Sequence, residues 1–259
     1  MSEDEIPKTH PRYQSLITRE KLVKFFNLGI VVAQGLVAQG RGEAFDYILG
    51  EKTHNFALEA EKITVASILT SKNPVISVNG NYAALAGEEI VRLSDILGVP
   101  IEVNLFHRTE ERIKKIENYL KDLGGRKILG SECKKAKLPN LDSPRGIVCE
   151  EGIFNADFVL LAIEDGDRTL ALKNLGKKVA AIDLNPFSRT AQTANITIVD
   201  DAIRATKNMI QIASDFSQLR YRDLLKMLES YDNKKNLSLA FEKMFDNLKI
   251  AYSKGILQF

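Results

Sequence analysis

With 259 residues and 44% hydrophobic content, the chain is long enough to bury a full core, and a single compact unit is expected. Its 36 basic and 34 acidic side chains leave a net charge of +2, a balance that excludes nucleic acid or a membrane surface as the main partner, so basic residues should matter one by one. No apolar run reaches bilayer length and the acidic start MSEDEIPKTH leads into no apolar segment, which points to the cytoplasm.

Cys133 and Cys149 fall outside any metal spacing. With only His10, His54 and His107 beside them there is no ligand set for zinc, and both cysteines are expected as reduced, structural thiols.

In chain order, IPKTHPRYQSLITREKL reads as a polar loop and then a helix, with Thr18 as N-cap and Leu22, Val23, Phe25 and Phe26 as its apolar stripe. Lys8, His10, Arg12 and Arg19 are potential partners for phosphate or carboxylate. Arg19 stands out, because a cation in a first helical turn opposes the macrodipole unless an anion compensates. In GIVVAQGLVAQGRGEAFDYILGE, the stretch Gly35 to Gly42 fails as a P-loop, since Arg41 and Gly42 stand where that motif needs Lys and then Ser or Thr. Its glycines and Arg41 describe either backbone brought close to an anion ahead of a helix starting at Glu43, or a flexible connection.

Apolar residues from Thr53 to Ser71 recur at helical spacing, and Pro74 ends that helix. Short apolar runs then alternate with amphipathic stretches, the mark of βαβ units: strands Val75 to Val78 and Ile101 to Leu105, helices Ala83 to Leu97 and Glu110 to Leu123. Asn79-Gly80-Asn81 follows the first strand, and Asn104 with Arg108-Thr109-Glu110 the second, so both groups should open on the same sheet edge. Gly130 to Gly152 reads as loop, either a lid or an interface arm. The strand Phe158 to Ile163 runs into Glu164-Asp165-Gly166-Asp167-Arg168-Thr169, where Asp165 and Asp167 are spaced like metal-binding or helix-capping carboxylates.

The stretch VAAIDLNPFSRT is the richest. Val179 to Ile182 is apolar without alternation, as in a strand covered on both faces; Asp183 and Asn185 then mark its carboxyl end, Pro186 stops ladder pairing, and Ser188, Arg189 and Thr190 add two hydroxyls and a guanidinium. A further strand, Ile196 to Val199, ends at Asp200-Asp201, one of which caps the helix Ala202 to Phe216. From Arg220 to Lys254 the pattern is amphipathic helix with a break at Asn233-Lys234-Lys235, supplying core or dimer contacts.

These elements describe an α/β fold: a Rossmann-like, mostly parallel sheet flanked by helices, with an N-terminal helical segment and a C-terminal helical extension. Residues 1–217 are expected as one α/β domain and 218–259 as helices packed on it or on a dimer partner. The polar clusters contain no Ser, His and Asp or Cys and His arrangement. Chemistry without a covalent nucleophile rests on positioning and charge stabilisation, as in phosphoryl and nucleotidyl transfer. An NAD-dependent dehydrogenase is the rival, but no βα turn supplies G-x-G-x-x-G. A non-enzymatic nucleotide-sensing regulator is the other alternative.

The blocks IPKTHPRYQSLITRE, QGRGEAFDYILGE, NPVISVNGNYAAL, IEVNLFHRTEERI, EDGDRT and AIDLNPFSRTAQTANITIVDD together resemble the archaeal phosphopantothenate synthetase family, the 4-phosphopantoate–beta-alanine ligases, over about residues 5 to 217. That resemblance implies an ATP-dependent homodimer using Mg²⁺ on the route to coenzyme A. The 4-phosphopantoate carboxylate would attack the α-phosphorus of ATP, and the β-alanine amine would then displace AMP. It further implies ATP contacts from Arg19, Arg41, Asp183, Leu184, Asn185, Arg189, Thr190, Asp201 and Ala202, although the family often carries Asn where this chain has Asp201. Asn79, Asn81, Asn104 and Arg108 are expected around 4-phosphopantoate, with Arg19, Arg41, Asn104 and Arg108 nearest the chemistry. Asp165 and Asp167 are expected to meet a metal or orient the amine.

Overall fold

The computed structural model describes residues 6–10, 12–139 and 141–255; the opening MSEDE, Pro11, Asn140 and residues 256–259 lie outside the described residues. Three helices come first, α1 (Tyr13–Asn27), α2 (Ala33–Leu49) and α3 (Asn55–Thr70). Helix α1 starts well before Thr18. The Arg12 amide donates to His10 Nδ1 at 3.0 Å and the Tyr13 amide to the His10 carbonyl at 2.9 Å, so backbone and imidazole do the work expected of a hydroxyl cap, and Thr18 and Arg19 lie mid-helix. Arg19 therefore gains nothing from a helix N-terminus.

The glycine stretch is also not a loop: α2 is continuous through Gly35, Gly40 and Gly42. Packing outweighs the poor helix propensity of glycine here. Asn81 Nδ2 donates to the Gly35 carbonyl at 2.7 Å, and a side chain at 35 would overlap the Asn81 amide.

The rest alternates as expected. Strand β1 (Pro74–Val78) leads through α4 (Gly80–Leu97) to β2 (Ile101–Val103), then α5 (Glu110–Asp122) and β3 (Ile128–Leu129). The segment expected as loop instead folds an antiparallel pair, β4 (Lys135–Lys137) and β5 (Ile147–Cys149), with Lys135 opposite Cys149. This reversal brings Cys133 and Cys149 to a Cα separation of 5.6 Å, and their sulfurs are joined, correcting the expectation of free thiols. Spacing in sequence carries no sign of a hairpin register.

Next come β6 (Phe158–Ala162), α6 (Gly166–Asn174), β7 (Lys178–Ile182), α7 (Arg189–Thr193), β8 (Ile196–Ile198), α8 (Ala202–Phe216), α9 (Tyr221–Glu229) and α10 (Asn233–Lys254). Asn233-Lys234-Lys235 opens α10 and does not separate helices there; Asp232 caps it through the amides of Lys234 and Lys235. Helices α9 and α10 pack on α3, and Leu237, Ala240 and Met244 of α10 share a cluster with Leu49, Phe56 and Val199. Among the described residues no helix is long and apolar enough to cross a membrane.

Six strands form one parallel sheet in the order β3-β2-β1-β6-β7-β8. Their unbroken apolar runs follow from burial on both faces. Successive residues feed opposite cores: Val75, Val159, Leu161 and Val179 face α6 and the β4-β5 arm, whereas Ile76, Leu160, Ala180 and Ile182 join the larger core with residues of α3, α4 and α8. The chain leaves β1 in one direction and β6 in the other, so their carboxyl ends part into a crevice, the place where such sheets bind ligands.

A polar cluster lies buried among α3, β8 and α8. Glu61 is fully buried, with Oε1 accepting from Asn208 Nδ2 at 3.3 Å and Oε2 without a partner. Burial, and then the charge of Asp200, push its carboxyl from 4.5 up to about 9. Between those values the folded chain holds a proton that the unfolded chain releases. The associated stability is thus complete below about pH 4.5 and is lost as pH rises towards 9. Thermal unfolding of the native protein is expected to drop towards alkaline pH more steeply than that of Glu61→Gln. Parallel profiles for the two proteins would contradict a neutral buried Glu61.

Candidate active site

The crevice opens into a cleft of about 680 Å³ whose walls are the carboxyl ends of β6, β7 and β8 and one side of α2. Arg41, Asp165, Asp183, Leu184, Asn185, Arg189, Thr190, Asp201 and Ala202 all line it. Asp201 caps α8, accepting from the amides of Ile203 at 2.9 Å and Arg204 at 3.2 Å, so the positive end of that helix faces the cleft. Asp165 caps α6 through the Arg168 amide at 2.8 Å, which settles capping as one of its roles.

Arg41 is exposed and makes no hydrogen bond or ion pair among the described residues, so its charge is free for a ligand. Asp183 accepts from the Asn185 amide at 2.9 Å and from the Ser188 hydroxyl. Burial raises its carboxyl pKa, opposed by those two donors and by the charge of Arg41. The buried side of Asp201 is likewise pushed up by burial. Arg189 pairs with Asp167 at 2.7 Å, both well exposed, and Thr190 donates to the Glu164 carbonyl at 2.7 Å.

A second recess of about 280 Å³ adjoins the cleft, sharing Ala38, Phe106, Arg145 and Ile163 with it. Asn79, Gly80, Asn81, His107 and Arg112 are among its other walls. Asn79 stitches the crevice together: Oδ1 accepts from the Tyr82 amide at 3.0 Å while Nδ2 donates to the carbonyls of Ala162 at 2.8 Å and Ile163 at 3.1 Å. Ile163 has φ of 51°, a left-handed conformation rare for a β-branched residue, at the mouth shared by both spaces. Strain of that kind, over-determined by its surroundings, concentrates at functional sites.

Four expected residues sit elsewhere. Arg19 lines neither space; it pairs with Glu43 at 3.2 Å and Tyr47 at 2.8 Å beside a separate pocket. Arg108 contacts the Ile147 carbonyl and Glu110, each at 3.5 Å. Asn104 is fully buried and lines neither space, with Nδ2 donating to the carbonyls of Arg145 at 3.2 Å and Ile147 at 3.1 Å and Oδ1 without a partner. Asp167 lines a neighbouring shallow recess with Phe106, Leu141 and Asp142.

Arg145 carries no signal in the sequence that marks it as a site residue, yet it lines both spaces. The β4-β5 arm carries it across the sheet, where its guanidinium meets Glu164 at 2.8 and 2.9 Å, the Asn104 carbonyl at 3.0 Å and Asp165 at 3.1 Å. Arg168, fully buried, meets the other side of Glu164 at 2.6 Å and Ser77 at 2.9 Å. The cleft wall is therefore backed by a largely buried network of two carboxylates and two guanidiniums. Only the i,i+4 spacing of Glu164 and Arg168 was visible in sequence.

Among the described residues no group of three or more His, Cys, Asp or Glu could hold a metal ion. Around the cleft stand Arg41 with no ion-pair partner among the described residues, two helix starts, the amides of Gln39 and Asn185, and five carboxylates, in a space large enough for a nucleotide.

A family model for phosphopantothenate/pantothenate synthetase matches residues 56–247. A 4-phosphopantoate–beta-alanine ligase from Methanosarcina mazei is 49% identical over 245 residues, 95% of this chain and 96% of the relative. One from Thermococcus kodakarensis is 45% identical over 252 residues, 97% of this chain and 96% of the relative, and one from Methanospirillum hungatei is 50% identical over 213 residues, 82% and 86%. The matched segment spans the cleft walls from β6 to α8, and the chain belongs to the phosphopantothenate/pantothenate synthetase family.

Proposed function

We propose that the protein is an ATP-dependent ligase joining 4-phosphopantoate to β-alanine, with release of pyrophosphate and AMP. The observation that carries this reading is one cleft at the carboxyl edge of the sheet, holding a free cation and two helix starts, opening directly into a second polar recess. The relatives named for the same ligation support it.

ATP is assigned to the cleft. Arg41 and Arg189 would neutralise the triphosphate, and the start of α8 adds a fixed positive end. Asp183 would accept from the ribose hydroxyls while Ser188 and Asn185 hold it in place. The acid is assigned to the recess. Its carboxylate, attacking the α-phosphorus at the shared mouth near Ile163, forms a C–O–P bond as pyrophosphate leaves with the electron pair. The amine then forms the amide and AMP departs. Mg²⁺ would be held chiefly by the nucleotide's phosphate oxygens, a mode that needs at most one or two carboxylates, for which Asp201 of the cleft is the one left over by the ribose assignment. When bound there it supplies charge neutralisation of the leaving pyrophosphate. A homodimer is proposed, with the exposed Phe245 and Leu248 of α10 as its contact, and the cytoplasm, where ATP is made available, is the compartment proposed.

The test is turnover: AMP formation that requires all three substrates, with oxygen from the phosphopantoate carboxylate appearing in AMP. Binding of ATP without AMP formation would instead mark a sensor. Asp183→Asn is expected to raise the KM for ATP about tenfold, the cost of one charge-assisted hydrogen bond, while leaving that for the acid near its native value. Equal losses for both substrates would contradict the ribose role.

A further inference from the structure

Resting on the ligase reading above, we infer that Arg112 holds the phosphate group of the acid substrate in the recess, so that the carboxylate of the same molecule is presented past Arg145 to the cleft. Arg112 lines the recess and not the cleft, whereas Arg145 lines both. The two guanidiniums thus mark opposite ends of one short path.

Charge balance singles Arg112 out. Five arginines are withdrawn from solvent among the described residues: Arg108, Arg112, Arg145, Arg168 and Arg204. Arg108 pairs with Glu110, Arg145 and Arg168 with Glu164, and Arg204 with Asp46 and Asp200. Arg112 has no carboxylate. Its Nη1 and Nη2 donate to the carbonyls of His107 and Ile30, at 2.5 and 2.8 Å, and its buried Nε has no acceptor. Burial and the nearby charge of Arg145 both disfavour its charged form. A half-buried cation facing a polar cavity without a counter-ion is costly unless an anion arrives.

The recess is shaped for one. A side chain at Gly80 would overlap the Ile30 carbonyl and lie 2.8 Å from Arg112 Nη2, so only glycine lets α4 begin this close to the guanidinium. Gly80 and Asn81, at the start of an 18-residue helix, carry amides with no partner further up that helix. A phosphate monoester brings close to two negative charges and three acceptor oxygens, matching a guanidinium beside such amides. The carboxylate is excluded from this end, because it must reach the α-phosphorus in the cleft.

The experiment compares 4-phosphopantoate with pantoate in the native protein, Arg112→Gln and Arg112→Lys. It uses pyrophosphate release with ATP, and calorimetric titration of each acid without ATP. Arg112→Gln removes the charge and, being two bonds shorter, leaves the carbonyls of His107 and Ile30 to water. It is expected to weaken 4-phosphopantoate about 10- to 100-fold in both KM and Kd, with the KM for ATP and the affinity for pantoate changed less than about twofold, and Arg112→Lys is expected to recover part of the loss. Equal weakening of both acids, or no weakening of 4-phosphopantoate, overturns the assignment. If Arg112→Gln shows no cooperative unfolding transition, Arg112→Lys decides: its loss must be confined to the phosphorylated acid. Native protein that releases no pyrophosphate with either acid would defeat the ligase reading itself, a different outcome.

Discussion

Replacement of Arg41 by Ala is expected to reduce pyrophosphate release from ATP and 4-phosphopantoate, measured without β-alanine, by about 10²- to 10³-fold, the usual cost of removing a preorganised donor to developing charge. The unfolding temperature is expected to stay within about 1 °C of the native value, since Arg41 is exposed and its deletion breaks no hydrogen bond or ion pair among the described residues. Arg41→Lys should fall between, because a point charge replaces a fork of donors. Native rates of release in Arg41→Ala would remove this residue from the reaction, and a large fall in stability would mean that it is structural. The separation of the two readouts follows from its place: α2 is anchored at its far end by Asp46, which Arg204 grips at 2.6 and 3.0 Å, leaving the Arg41 turn to the cleft.

Glu164→Ala is the counterpart, with its effect on stability. The Glu164 carboxylate is buried between Arg145 and Arg168, themselves 6% and 0% exposed, and its loss leaves Arg168 without a counter-ion and Arg145 with Asp165 alone. Breaking a buried pair from one side costs about 3–5 kcal/mol, which for a chain of this length corresponds to a fall in unfolding temperature of roughly 6–20 °C. Thermal unfolding followed by circular dichroism measures it. A change under about 2 °C would show that water or a rearranged Asp165 replaces the carboxylate at little cost. A Glu164→Ala, Arg168→Met double variant should recover part of the loss, since the second change removes one stranded charge.

The contrast between these residues explains what could be read in the chain beforehand. Buried strands such as Val179 to Ile182 announce themselves as short unbroken apolar runs, and the observed β7 differs by one residue at its start. The polar switches after them were equally legible, because Asp183, Asn185, Arg189, Thr190 and Asp201 are local to the strands that deliver them to the cleft. Gly35 to Gly42 was not legible as helix, since what makes it one is the approach of Asn81 and Leu184 from elsewhere. Arg145 and Arg112 escaped for the same reason. Each owes its place to partners far along the chain, Glu164 for one and the Ile30 carbonyl for the other, and neither partner is hinted at by spacing. Arg108, closer to the end of β2 and so the more obvious choice, turns towards Ile147 and Glu110.

The pairing of β1 with β6, with Pro74 opposite Phe158, places the central seam of the sheet between segments made far apart in time on the ribosome. Until β6 emerges, β1 offers a bare apolar edge, and nothing on the amino-terminal side can satisfy it. The cleft has no far wall before that seam closes, so occupancy by the proposed nucleotide is available only to the finished molecule. By mass action, a saturating nucleotide would therefore protect every strand at once, including β3 at the opposite margin, which the ligand never touches.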